Sequence, residues 1–438
     1  MKINATEKRA QILVIGMLAA MTVLSACSGG EAKSGKENAA TQEPFDLFFL
    51  GSTDKERFFR EHGNDINKKF PNININYYQL AAKTDEAKGA LSIDDALARG
   101  IPIDIMHMAP ANIKPYLVDT KLAYPIDDLI KKYKYDLNIL YPEAVQTLRT
   151  ISGGPLYGLP NNTSIHKIYY NKDLFDKFGV AYPKDGLNWD EVYELAKRMT
   201  RTDGGQQYQG AIIPFSGMMV LNQLSAPFVD LNTNKTVFVS DPKWSKFSSN
   251  LVRFHQIPGN SPQDASLFTT KGTAAMLIAA TDLNASWTTN WDIAQAPVFA
   301  DMPGVGSMAW GSTYALASTS KHKEEVFQVI ALLSSKEHMQ QMERLGSLTV
   351  LNDPNKKKDF GKDIAWLQGR KVNMAAMFQD KIAPPYPLSP YEGLAQAALN
   401  KQLNDLVAGK VVDINTALRQ ATEEADKAIQ AEIEKTKR

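Results

Sequence analysis

The sequence predicts an α/β fold in which a largely parallel sheet is interleaved with helices. Two observations predict it. Short apolar runs of strand length at 45–50, 73–78 and 103–108 alternate with segments whose apolar residues recur at helical spacing. Turn residues separate them, first Gly51-Ser52-Thr53-Asp54 and then Pro71. Alternation of this kind marks βαβ units.

The elements follow in order from Pro44. The run 45–50 reads as a strand. Phe58, Phe59 and Ile66 carry a helix over 55–70, and Pro71 stops it. Residues 73–78 alternate as a strand, 86–99 read as a helix, and 103–108 as a short strand. After Gly153-Gly154 the pattern resumes with a strand over 167–170 and a helix over 172–178. Asn188 and Glu191, three residues apart, mark the start of a helix over 189–199 as a capping-box variant. Strands are expected at 211–213, 274–278, 291–294 and 313–317, with helices at 243–256, 323–334 and 337–345. Pro384, Pro385, Pro387 and Pro390 mark an irregular crossing. Two long helices follow, 391–408 and 415–434, parted at Gly409. There is no tandem repeat.

The start of the chain sets the compartment. Lys2, Lys8 and Arg9 precede an apolar run over 12–24, the length of a signal-peptide core and short of the roughly 20 residues a membrane span needs. Leu24-Ser25-Ala26-Cys27 looks like a bacterial lipobox, so residues 1–26 read as a lipoprotein signal peptide and Cys27 as the lipidated residue. Cys27 is the single cysteine, which excludes an internal disulfide or a cysteine-ligated metal site. Several acyl chains on one residue give durable anchoring where one chain is marginal. Residues 27–43 hold no aromatic or branched aliphatic residue and read as a flexible tether. Without residues 1–26, which contain three basic groups and one acidic group, 46 basic residues face 47 acidic ones, a net charge of −1. That balance argues against a nucleic-acid partner.

Several segments together resemble one family. Tyr157-Gly158-Leu159-Pro160 precedes Ile168-Tyr169-Tyr170-Asn171-Lys172-Asp173-Leu174-Phe175. Then come Asn188-Trp189-Asp190-Glu191, Lys271-Gly272-Thr273-Ala274-Ala275-Met276, Trp310-Gly311 with the helix that follows it, and Ala408-Gly409-Lys410 before Ala417-Leu418. In this order, over nearly all of 44–438, they resemble the extracellular solute-binding proteins of the maltose-binding type. The resemblance implies a periplasmic-binding-protein-like fold: two α/β lobes joined by a multi-crossing hinge, with the ligand cleft between them. It places the first lobe at 44–158 with 308–350 and the second at 159–307 with 351–438. It further implies a monomer on the extracellular face of the cell membrane, handing a sugar or oligosaccharide to ABC transporter permease subunits and needing no cofactor.

Candidate ligand residues are those that follow strands, because open α/β sheets bind ligands beyond the carboxyl ends of their strands. Ser52 and Thr53 follow the first strand; Thr53 or Asp54 can equally cap the next helix. His107 and Met108 end the third strand, where packing is an equal alternative. Asn162 and Ser164 lie in a run of four small polar residues after Pro160, able to serve sugar hydroxyls or their own turn. Phe215 follows the 211–213 strand, and Asp282 and Trp287 follow the 274–278 strand. Here the chain departs from the family pattern, because Ala279-Ala280-Thr281-Asp282 stands where a tryptophan normally follows directly. Trp310, before Gly311, is the preferred aromatic platform, since the C–H face of a sugar stacks on an aromatic ring.

Catalysis finds no support. There is no H-E-x-x-H and no G-x-S-x-G, and the six histidines, at 62, 107, 166, 255, 322 and 338, show no metal-ligand spacing. Gly304-Val305-Gly306-Ser307-Met308-Ala309 matches a dinucleotide loop only in its letters, because a strand follows it where a helix is required. The alternatives left open are a receptor for a peptide or other polar solute, a lipoprotein that only senses its ligand, and a secreted lipoprotein hydrolase.

Overall fold

The computed structural model describes residues 43–436 except 82, 261–263, 281, 282, 284, 309, 379 and 380. The expected signal peptide, the expected lipidation site Cys27 and the expected tether up to residue 42 lie outside the described residues. The chain from Pro44 to Arg438 forms one compact unit.

Its first sheet has six strands. β1 (Phe45–Gly51) pairs in parallel with β2 (Ile73–Leu80), which carries the two-residue β3 (Ala90–Leu91), and on its other side with β4 (Ile105–Met108). The strands that carry the chain between and into the second sheet are β5 (Gly158–Ser164), β6 (Lys167–Asn171), β7 (Met276–Ala279), β8 (Trp291–Gln295) and β9 (Trp310–Leu316). β9 closes the first sheet by pairing antiparallel with both β4 and β5, in the order β3-β2-β1-β4-β9-β5. The buried residues of β1 (Leu47, Phe49), β4 (Ile105, Met106) and β9 (Tyr314, Leu316) join Phe58, Val326, Phe327 and Met339 in a single apolar cluster.

The helix expected over 55–70 forms as three continuous pieces, Lys55–Phe58, Phe59–Gly63 and Asn64–Lys69, the middle one a π-helical turn. The helix expected over 86–99 does not. Gly89 takes the left-handed conformation (φ 65°), Ala90–Leu91 join the sheet edge, and Ser92 then caps a shorter helix, Ile93–Ala98.

The second sheet also corrects an expectation. β6 lies between β7 and β8 and is antiparallel to both, so this sheet is not a run of βαβ units. The expected strand over 211–213 survives as a parallel bridge, with Ile212 N–H donating to Met276 O at 2.8 Å and Ile278 N–H to Ile212 O at 2.9 Å. Apolar clusters cover both faces. One gathers Ile168, Tyr170, Phe175, Trp189, Trp244, Phe247 and the C-terminal helices Glu392–Val407 and Ile414–Thr436; the other gathers Tyr169, Leu277, Trp287, Trp291, Phe360 and Phe378. The capping box is complete: the Asn188 side chain accepts from Glu191 N–H at 3.0 Å, and the Glu191 carboxylate accepts from Asn188 N–H at 2.8 Å. The two sheets with their helices are the two α/β lobes.

Candidate functional site

The site is built by the way β5 and β9 leave the first sheet. Pro160 and Met108 both lie opposite Thr313, so the first sheet ends there while 161–164 of β5 and 310–312 of β9 run on as a paired bridge. Three residues past Ser164, β6 begins at Lys167, and both β7 and β8 end beside Lys167. The carboxyl ends of β1 and β4 therefore face the carboxyl ends of β7 and β8 across residues 161–166, seven steps from Pro160 to Lys167 and at most about 23 Å at ~3.3 Å per residue. That span admits a sugar ring with polar groups on either side.

A third crossing reinforces the bridge. Thr163 N–H donates to Leu348 O at 2.8 Å and Val350 N–H to Asn161 O at 3.2 Å. Glycine is required where the crossings meet. A Cβ on Gly311 would run into the Asn162 carbonyl, and one on Gly158 into the Tyr314 carbonyl.

At the end of β1, Asp54 is the helix cap, accepting from Arg57 N–H at 2.9 Å. Ser52 is thereby left exposed, its hydroxyl 2.9 Å from Nδ1 of the buried His107. Thr53 is half-buried, and its carbonyl accepts from the Tyr77 hydroxyl at 2.5 Å. Nε2 of His107 lies 3.3 Å from Oδ1 of Asn161, and its ring stacks on Tyr314 at 4.5 Å. Burial pushes the His107 imidazole down to about 4, against the smaller upward pull of Asn161, so it is neutral at pH 7. Tyr314 continues the network to His62, His338 and Asp65. Nothing in the spacing of 62, 65, 107, 314 and 338 signals this cluster; only the fold brings it together.

The other predicted residues stand as follows. The Ser164 hydroxyl donates to the Ala280 carbonyl at 2.9 Å, tying the bridge to the end of β7. Asn162 accepts from Ser312 N–H at 2.7 Å, which holds β5 to β9. Met108 is enclosed in the first lobe's core, and Phe215, the first residue of the helix Phe215–Val220, is enclosed in the second's. Trp287 is 8% exposed and packs edge-on against Tyr169 at 4.9 Å and Trp291 at 5.8 Å. Trp310 opens β9 opposite Ser164, with its side chain outside the described part of the structure. Asp282 lies outside the described residues.

A cavity of about 750 Å³ opens beside the bridge, lined by Pro160, Asn162 and Thr163 of β5, Gly311 and Ser312 of β9, and Pro110 just beyond the carboxyl end of β4. Tyr141 and Leu148 form its first-lobe wall, and Met377, Phe378 and Ile382 its second-lobe wall. Among the described predicted ligand residues, Asn162 lines it, and its lining is chiefly apolar. No group of three or more metal-ligating side chains occurs among the described residues.

Comparison with known proteins now places the chain. The family model for bacterial extracellular solute-binding protein matches residues 50–340, and the chain belongs to that family. Its members are solute-binding proteins. An uncharacterized ABC transporter extracellular-binding protein of Pyrococcus horikoshii is 23% identical over 317 residues, which is 66% of this chain and 68% of the relative. Among solved structures, an ABC substrate-binding protein of Listeria monocytogenes in complex with cycloalternan aligns with a TM-score of 0.71 at 18% identity, covering 89% of this chain and 99% of the other. The sugar-binding protein MalE of Xanthomonas citri aligns with a TM-score of 0.67 at 16% identity, covering 90% and 100%. Both share the two-lobed fold.

Proposed function

We propose that the chain is the lipid-anchored receptor of an ABC importer, without enzymatic activity, holding a sugar or oligosaccharide between the strand ends of its two lobes. The observation that supports this reading is the facing of the two sheets' carboxyl edges across residues 161–166, with the exposed Ser52 following β1 at one of them. The sugar bound by the Listeria relative of the same fold agrees with it. Ser52, Thr53 and Ser164 supply polar contacts. Trp310 supplies the stacking platform, with Asp282, Asn162, Met108, Phe215 and Trp287 completing or supporting the pocket. The lobes divide at 158–159, 307–308 and 350–351. Cys27 carries the anchor that holds a monomer at the extracellular face of the membrane beside its permease.

A melting-temperature screen over mono- and oligosaccharides, amino acids and short peptides tests the reading, because a ligand that binds only the native state raises apparent stability. A carbohydrate that shifts the melting point at micromolar concentration supports it. A shift with peptides alone refutes it.

A further inference from the structure

Seven side chains run in contact from the exposed Ser52 at the end of β1 to the carboxylate of Asp65 on the helix Asn64–Lys69. Nδ1 of His338 lies 3.0 Å from Oδ2 of Asp65; Nε2 of His338 lies 2.9 Å from Nδ1 of His62; Nε2 of His62 lies 3.3 Å from the Tyr314 hydroxyl. Asn161 hydrogen-bonds the Tyr314 oxygen and, through Oδ1, Nε2 of His107, and Nδ1 of His107 meets Ser52. His62, His107, His338, Asn161 and Tyr314 are all less than 9% exposed.

The donors can be assigned by elimination. A carboxylate only accepts, so His338 donates from Nδ1 to Asp65. Burial keeps His338 neutral, which makes its Nε2 an acceptor and requires His62 to donate from Nδ1. The Nε2 of His62 then accepts from the Tyr314 hydroxyl, whose oxygen accepts from the Asn161 amide. The Asn161 carbonyl oxygen is left to accept from Nε2 of His107. Nδ1 of His107 is therefore an acceptor, and among the described residues the Ser52 hydroxyl, 2.9 Å away, is the donor it meets.

We propose that Asp65, acting through this chain, turns the Ser52 proton inward, so that Ser52 offers the solute an acceptor and selects for a donating sugar hydroxyl at that position. Asp65 and His107 are positioning residues: neither reaches the gap. The sugar part of the proposal rests on the functional reading above; the direction of the chain does not.

Selective ¹⁵N labelling of the histidines in the full chain at pH 7.5 reads the tautomers directly, without any ligand. The expected result is a proton on Nε2 of His107 and on Nδ1 of both His62 and His338. A proton on Nδ1 of His107 overturns the proposal. Asp65→Asn lets the terminal group donate as well as accept, so the His338 and His62 tautomers become mixed while the melting curve stays cooperative; unchanged tautomers in a folded variant also overturn it. With a bound sugar identified, singly fluorinated deoxy analogues replace each hydroxyl in turn by a group that cannot donate. One position should lose at least about tenfold in affinity, roughly 1.4 kcal/mol, and that loss should shrink in Ser52→Ala. Equal binding of every analogue overturns the selection for a donor. If no carbohydrate binds, the functional reading falls with it, and the tautomers alone decide the inward turn of the Ser52 proton.

Discussion

His338 donates from its ring to the Asp65 carboxylate at 3.0 Å across 273 residues of sequence, fastening the helix Lys336–Arg344 to the helix Asn64–Lys69. The pairing holds one wall of the first lobe as the chain returns from its second crossing. Among the described residues Asp65 is the charged group hydrogen-bonded to the histidine network, while the neighbouring Glu61 is turned to Arg57 at 2.9 Å and to Arg60 at 3.2 Å.

Acid should destabilise the protein early. Burial is the leading cause that lowers His62, His107, His166 and His338 below the ordinary 6.5, His107 and His166 to about 4. The groups facing them are Asp65, Arg57 and Lys167, with Ser52, Asn161 and Tyr314 around His107. The unfolded chain binds protons at these sites from pH 6.5 downward while the folded chain does not. Their contribution is thus complete above pH 6.5 and is lost as pH falls toward 4. Denaturant midpoints measured at pH 7, 5.5 and 4.5 should fall steadily; a constant midpoint contradicts the neutral burial of these rings.

Glu392 has the opposite sign. Burial raises its carboxyl to about 8 against the N–H groups of Ser389 and Phe228, and its Oε2 has no hydrogen-bond partner among the described residues. Its contribution is present below pH 4.5 and is lost as pH rises through about 8. Glu392→Gln should therefore gain little at pH 4.5 and roughly 2–4 kcal/mol above pH 8. A gain that does not grow with pH contradicts the assignment.

Gly311→Ala should separate β9 from β5, because the added carbon meets the Asn162 carbonyl where the backbone cannot yield. The expected cost is about 2–3 kcal/mol of stability, the range of strained or overpacked sites. Calorimetric melting checks it, and a neutral substitution contradicts the tight crossing.

Cys27→Ser should release the protein into the medium or leave it unprocessed, since it removes the only thiol able to carry lipid. Metabolic labelling with a fatty acid tests this; equal label in both forms contradicts the anchor.

Much of the fold was legible because the signals were local. The cap at Asn188, the strand at 45–50 and the stop at Pro71 each act within a few residues, and each element formed where its pattern lay. The 86–99 segment misled because apolar spacing said helix while Gly89 and Ser92 divided it. The antiparallel order of the second sheet was not legible, since β6 pairs with strands more than a hundred residues later. At the site, Ser52 could be picked out as a residue that follows a strand. Its partner His107 could not, because the Ser52–His107–Asn161 contact exists only once β1, β4 and β5 lie in register.

Hydrogen exchange of the full chain, with and without a saturating carbohydrate, tests the central claim most directly. The account predicts slowed exchange at 51–57 and 214–220, the segments after strands on the two facing edges. Protection confined to 141–148 and 381–385 would place the solute against the helix Pro142–Ser152 and the 381–385 segment alone and contradict it.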